Sequence, residues 1–262
     1  MLVKLMKYEF MATGRIFLPL YGALLILSVV NTIFSNLDLT APAVIGIMIS
    51  VLIIIGILVV TFLLIIQRFW TNLLTSEGYL MMTLPVNTDK IILSKVFVAA
   101  IWSAASAVVV TLSVLIMTIT GISLADVVNA IRELILAIPL RSPQLAILSA
   151  EVFLAIALST MTSILMLYAC MSFSMVSNKY RWLVAVGAYI ALMTALQTIG
   201  VIFATIGVAA GLYADIERFL LSFTLFGKTQ IIVLIYFIIE ATFCALYYFI
   251  TRYMLKKRLN LQ

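Results

Sequence analysis

The sequence predicts an all-α integral membrane protein with six transmembrane helices, an N-terminal interfacial helix, and a short cytoplasmic helix between helices two and three. Three observations carry this. Of 262 residues, 65% are hydrophobic and only 10% are Asp, Glu, Lys or Arg, against about 25% charged residues in a typical soluble domain. Six apolar runs approach or exceed the roughly 20 residues with which a helix crosses about 30 Å of hydrocarbon. The short alternating strands of a β-barrel do not occur. No polar stretch is long enough for a second domain, so residues 1–262 read as a single transmembrane domain.

The first span is expected over 16–34. Ahead of it, Leu2, Leu5 and Met6 share a helical stripe, with Val3 and Phe10 beside it and Lys4 and Lys7 nearby. That pattern suits a short helix lying on the inner leaflet; an ordinary basic flank is the alternative. No small-residue cleavage pattern follows the run, so no cleavable signal is expected. The second and third spans are expected over 43–66 and 96–120, the fourth over 147–173.

Between spans three and four, Leu124, Val127, Val128, Ile131, Leu134, Ile135 and Ile138 recur at helical spacing. Ser123 can cap that helix and Pro139 ends it. It is too short to cross a membrane, and it reads as an external surface helix, either a lid or a seal. The fifth span, 182–212, would be about 46 Å long as a straight helix. It must tilt, project, or break near Gly200, Gly207 or Gly211. Gly207 and Gly211 also form a GxxxG pair that permits close packing, on span six or in a dimer seam. Residues 213–228 read as partly re-entrant, and the sixth span is expected over 229–251.

Basic residues orient the bundle. Lys4, Lys7, Arg15, Arg68, Lys90, Lys95, Lys179, Arg181, Arg252, Lys256, Lys257 and Arg258 fall on one side; only Arg132, Arg141, Arg218 and Lys228 fall on the other. The positive-inside rule then places both termini in the cytoplasm. The same distribution accounts for the net charge of +6 without a nucleic-acid partner.

Chemistry is sparse. There is no His, hence neither the commonest general base nor the commonest metal ligand. Cys170 and Cys244 sit inside apolar runs, which argues against a disulfide framework. No catalytic, metal-binding or cofactor-binding residue is expected. Gly227-Lys228-Thr229 resembles the end of a phosphate-binding loop, but Ser222 stands where the motif needs Gly, and no strand precedes it. If ATP is used, another chain binds it. Glu151 is expected at the water boundary of span four. Glu240 lies near the middle of span six, where an ionisable group costs about 2.5 kcal/mol or more and is a functional candidate. Thr194, Gln197 and Thr198 lie at similar depth in span five and could bond to it. Structural glue and a transport pathway both remain open.

The stretch SEGYLMMTLPVNTDKIILSK, residues 76–95, interrupts two long apolar runs. Trp70, Leu73, Leu74 and Leu80 fall at helix-like intervals; Asn72, Thr75 and Glu77 take the other side. Pro85 stops a helix, and Asn87, Thr88 and Asp89 can cap the next, beginning near Lys90. A short helix, a turn and the start of span three make a rigid hairpin that a partner could push.

Glu77-Gly78-Tyr79-Leu80, Thr83-Leu84-Pro85-Val86 and Leu93-Ser94-Lys95, with the Lys7-Tyr8-Glu9-Phe10 start and the six-span layout, resemble bacterial ABC-2 type permeases, the membrane subunits of ATP-binding cassette exporters. The resemblance implies a multi-pass protein of the bacterial cytoplasmic membrane, an exporter with no nucleotide site of its own. It implies a separate cytoplasmic ATP-binding subunit carrying ATP and Mg, and a second permease copy or paralogue completing the pathway in the lipid bilayer. It further implies a coupling helix around Trp70–Pro85, docked on that ATPase through Leu73, Leu74 and Leu80, with Glu77 beside them. A secondary transporter using Glu240 for proton coupling is the rival reading.

Overall fold

The computed structural model describes residues 2–37, 39–74, 87–118, 129, 132, 143–176 and 180–257. They form α1 (Leu2–Asn36), α2 (Thr40–Leu74), α3 (Thr88–Thr118), α4 (Pro143–Phe173) with a 3-10 turn at Ser174–Val176, α5 (Arg181–Ala209), α6 (Leu212–Leu221) and α7 (Leu225–Lys257). No strand occurs among the described residues. All but α6 are long and apolar enough to cross a membrane. In hydrocarbon, backbone N–H and C=O groups have no water to bond, so a helix, which satisfies them internally, is the form such runs take. The protein is a multi-pass membrane protein.

The helices outrun the apolar runs. Polar residues flanking a span sit at the interface, where the helix continues; the edge of hydrophobicity does not mark the edge of the helix. Pro143 opens α4 at a position where its missing N–H costs nothing. Asp89 stands in the first turn of α3, where its charge complements the helix dipole. The N-terminal segment expected to form a separate interfacial helix is the beginning of α1, which runs unbroken to Asn36. Tertiary contacts hold it there. Glu9 and Phe10 pack along α3, Phe10 stacking on Trp102 with ring centroids 4.6 Å apart. The external helix expected over 123–138 lies outside the described residues apart from Asn129 and Arg132, which are helical.

The chain divides into two compact units, one built on α1 to α3 and one running from Glu151 in α4 through α7. In the first unit α1 and α3 lie side by side and parallel. Glu9 pairs with Lys95, Tyr21 with Ser106, and Thr32 with the carbonyl of Ile116, so the numbering offset stays between 84 and 86. α2 runs antiparallel to them: Arg68, near its end, faces Glu9, and Gly46, near its start, faces Asn31. Phe17, Tyr21 and Leu24 of α1, Ile57 and Leu64 of α2, and Val98 and Trp102 of α3 form the buried core. Trp102 stacks against both Phe10 and Phe17, two turns apart on α1. Gly14 lies between them, and a Cβ there would already touch the indole at 3.4 Å.

In the second unit α4 and α7 are also parallel. Gln230 donates to Glu151 at 2.9 Å, and Cys244 is hydrogen-bonded to Thr162. Tyr168, Cys170, Tyr247, Thr251 and Leu255 are buried. α5 ends at Ala209, short of the expected span, because Gly211 takes the left-handed conformation (φ 70°) that a side chain resists. The excess length is therefore resolved by a turn. The bare Cα of Gly207 receives the Tyr213 ring, which a Cβ would meet at 3.0 Å. Residues 212–221, expected to be partly re-entrant, are the short amphipathic helix α6, with Asp215 and Arg218 paired at 3.7 Å on its exposed side.

Candidate functional site at the shared end of the first three helices

Charge gathers where α1 and α3 begin and α2 ends. Lys95 Nζ lies 2.6 Å from Glu9 Oε1, and Arg68 Nη1 lies 3.8 Å from Glu9 Oε2. The lysine side chain is 2% exposed and the glutamate 11%. Each helix supplies one member for a local reason. Glu9 sits one turn before Thr13, whose hydroxyl donates back to the Glu9 carbonyl at 2.8 Å. Ser94 donates to the Ile91 carbonyl at 2.8 Å, so the turn of α3 carrying Lys95 spends its own hydroxyl internally and leaves Lys95 to face α1. Arg68 precedes Phe69, which is fully buried and anchors that turn of α2.

About three turns further along α1 and α3, a neutral network continues the seam. The Tyr21 and Ser106 hydroxyls are 2.7 Å apart, and Thr61 reaches Ser106 at 3.0 Å, joining one hydroxyl from each helix. Thr61 also donates to the Ile57 carbonyl at 2.7 Å, so the network is tied to the α2 backbone.

The sequence-predicted coupling residues fare differently. Trp70 is half-buried near the end of α2. Leu73 is fully buried and not presented outward as expected. Leu74 closes α2. Glu77, Gly78, Tyr79, Leu80 and Pro85 lie outside the described residues. Asn87 accepts the backbone N–H of Lys90 at 2.9 Å in the turn that opens α3.

The intramembrane candidates are not brought together. Glu240 lies in α7 with its Oε2 buried and without a hydrogen-bond partner among the described residues. Thr194 and Thr198 are exposed on α5 and donate within their own helix, to Ile190 and Thr194. Gln197 is exposed as well. Glu151, expected at the water boundary, is held by Gln230.

Sequence reasoning missed Glu9 as a site residue. It looked like part of a basic flank; the available signal was one acid standing among Lys4, Lys7 and Arg15. Among the described residues no three His, Cys, Asp or Glu side chains group as metal ligands. The arrangement is suited to holding helices in register and to transmitting displacement. Comparison with known proteins finds no matching family model, no similar curated protein and no similar solved structure.

Proposed function

We propose that the protein is the membrane subunit of an ATP-binding cassette exporter of the ABC-2 type, working with a separate cytoplasmic ATPase that carries ATP and Mg. Both termini would then be cytoplasmic, in the bacterial cell membrane, and a second permease copy or paralogue would complete the pathway. The observation that carries the reading is the Glu9–Lys95 pair. It ties together two of the segments on which the resemblance rests, Lys7-Tyr8-Glu9-Phe10 and Leu93-Ser94-Lys95, beside the end of α2. A push on the 75–86 connection would reach both helices at that junction. The start of α1 would lie at the inner interface, with Lys4 and Lys7 toward the headgroups. With Leu73 turned inward, docking falls to Leu74, Glu77 and Leu80.

The test is to purify the chain with the ATPase encoded beside its gene, and then to introduce Leu74→Asp and Glu77→Ala. Burying one apolar anchor is worth about 1.5–3 kcal/mol, so co-purification and cargo-stimulated hydrolysis should fall about tenfold or more. Full retention of both in both variants overturns the reading.

One observation favours a second reading, secondary transport: the unpartnered Oε2 of Glu240. A carboxyl at that depth with one oxygen unbonded suits a site that gains and loses a proton.

A further inference from the structure

The shared end of α1, α2 and α3 encloses a cavity of about 270 Å³, lined by Leu5, Tyr8, Glu9, Ala12, Arg68, Ile91 and Ser94. Its charges are unbalanced. Lys95 engages one oxygen of Glu9 at 2.6 Å, while Arg68 stands 3.8 Å from the other, beyond hydrogen-bond distance. The three groups sum to one positive charge. The guanidinium carries five donors in a planar fork suited to phosphate oxygens, and among the described residues no hydrogen bond from it is found. A third of that side chain is exposed, at the cavity.

The remaining features say what kind of anion would fit. Leu5, Ala12 and Ile91 give apolar walls. Tyr8 is exposed at the mouth, an amphipathic ring of the type found at membrane–water interfaces. Lys4 and Arg15, also exposed, lie a turn or two to either side of Tyr8 on α1. The cavity stands where two membrane-crossing helices, α1 and α3, begin and a third, α2, ends. Its volume is just below the roughly 300–1,000 Å³ of sites for drug-sized ligands, which suits a phosphate with a short polyol.

We propose that this cavity binds the phosphodiester headgroup of an anionic membrane phospholipid, with Arg68 as the phosphate ligand and Tyr8 at the glycerol side. The bound headgroup supplies the negative charge that the three-helix junction lacks. This does not depend on the ATPase reading: a secondary transporter with this junction would bind the same lipid.

The test is native mass spectrometry of the delipidated full chain titrated with phosphatidylglycerol, phosphatidylcholine or inorganic phosphate. One phosphatidylglycerol per chain should bind in preference to phosphatidylcholine. Arg68→Ala should weaken that binding about tenfold, the scale of one charge-assisted contact. Arg68→Lys, which keeps the charge but loses the fork, should bind more tightly than Arg68→Ala and more weakly than the unaltered chain, and Arg15→Ala should change binding less than Arg68→Ala does. Should Arg68→Ala fail to fold, Arg68→Gln is read in its place. Equal binding of the two lipids, or phosphatidylglycerol binding indifferent to Arg68, overturns the proposal. Displacement of the lipid by millimolar inorganic phosphate also overturns it, because the site would then be one for free anions.

Discussion

Lys95 on α3 and Glu9 on α1 form a contact of 2.6 Å between residues 86 positions apart, with the lysine almost wholly enclosed. Such a pair is a poor source of net stability, because desolvation cancels much of the attraction, but a costly one to break. Lys95→Met should therefore destabilise the protein by about 3–5 kcal/mol, since it takes from a largely buried carboxylate the cation 2.6 Å away. Adding Glu9→Leu should recover most of the loss. Unfolding in detergent mixtures, run as a double-mutant cycle, measures both; additive losses would show that the two side chains do not interact.

The hydroxyl network makes a graded prediction. Tyr21→Phe removes one bond to Ser106 and should cost about 0.5–1.5 kcal/mol. Ser106→Ala removes the hydroxyl that bonds both Tyr21 and Thr61 and should cost more than Tyr21→Phe. In the same unfolding assay, an Ser106→Ala loss no larger than that of Tyr21→Phe would show that Thr61 contributes nothing through Ser106.

Gly46 is a contact point between α2 and α1. A Cβ there would come within 2.5 Å of the Asn31 Oδ1. Gly46→Ala should therefore destabilise by about 1–3 kcal/mol through overpacking. Asn31→Ala in the same chain opens the space and should restore much of the loss. Failure of the second substitution to help would mean that the backbones, and not the side chain, set the spacing.

Glu240→Gln separates the two functional readings. An amide reproduces the shape of a neutral carboxyl but cannot release a proton. If the chain is an ATP-driven permease subunit, the variant should fold, assemble and export cargo at near wild-type rates. Loss of transport with assembly intact would instead support proton coupling at that position.

Orientation has its own test. In a chain with Cys170 and Cys244 replaced by Ser, Asn129→Cys should react with an impermeant thiol reagent added outside intact cells, and Thr88→Cys should not. The opposite pattern would invert the topology and remove the case for a cytoplasmic junction.

The spans were readable from sequence because each is a long run with one physical requirement, an apolar surface. Where the helices end was not, since a helix crossing into the interface keeps its backbone bonds while its side chains turn polar; α1 and α2 both extend well past their apolar runs for this reason. The end of the fifth span was half legible: three glycines were candidates, and φ at Gly211 decides among them. The Glu9–Lys95 pair was not legible at all. Nothing in the spacing of 86 residues reports that α1 and α3 lie parallel in one register. Leu73 shows the same gap: helical periodicity groups it with Leu74 and Trp70, yet only packing determines which of them faces inward.

The constant offset between α1 and α3 has a mechanical consequence. The two helices are fastened at three heights, Glu9–Lys95, Tyr21–Ser106 and Thr32–Ile116, over a rise of about 35 Å. Sliding one helix past the other by a single turn, about 5.4 Å, would break all three fastenings together, so intermediate slips gain nothing. The pair behaves as a rigid strut. A displacement applied at the Lys95 end would arrive at the Ile116 end with little loss, so any rearrangement of this pair would be a rocking of the strut as a whole.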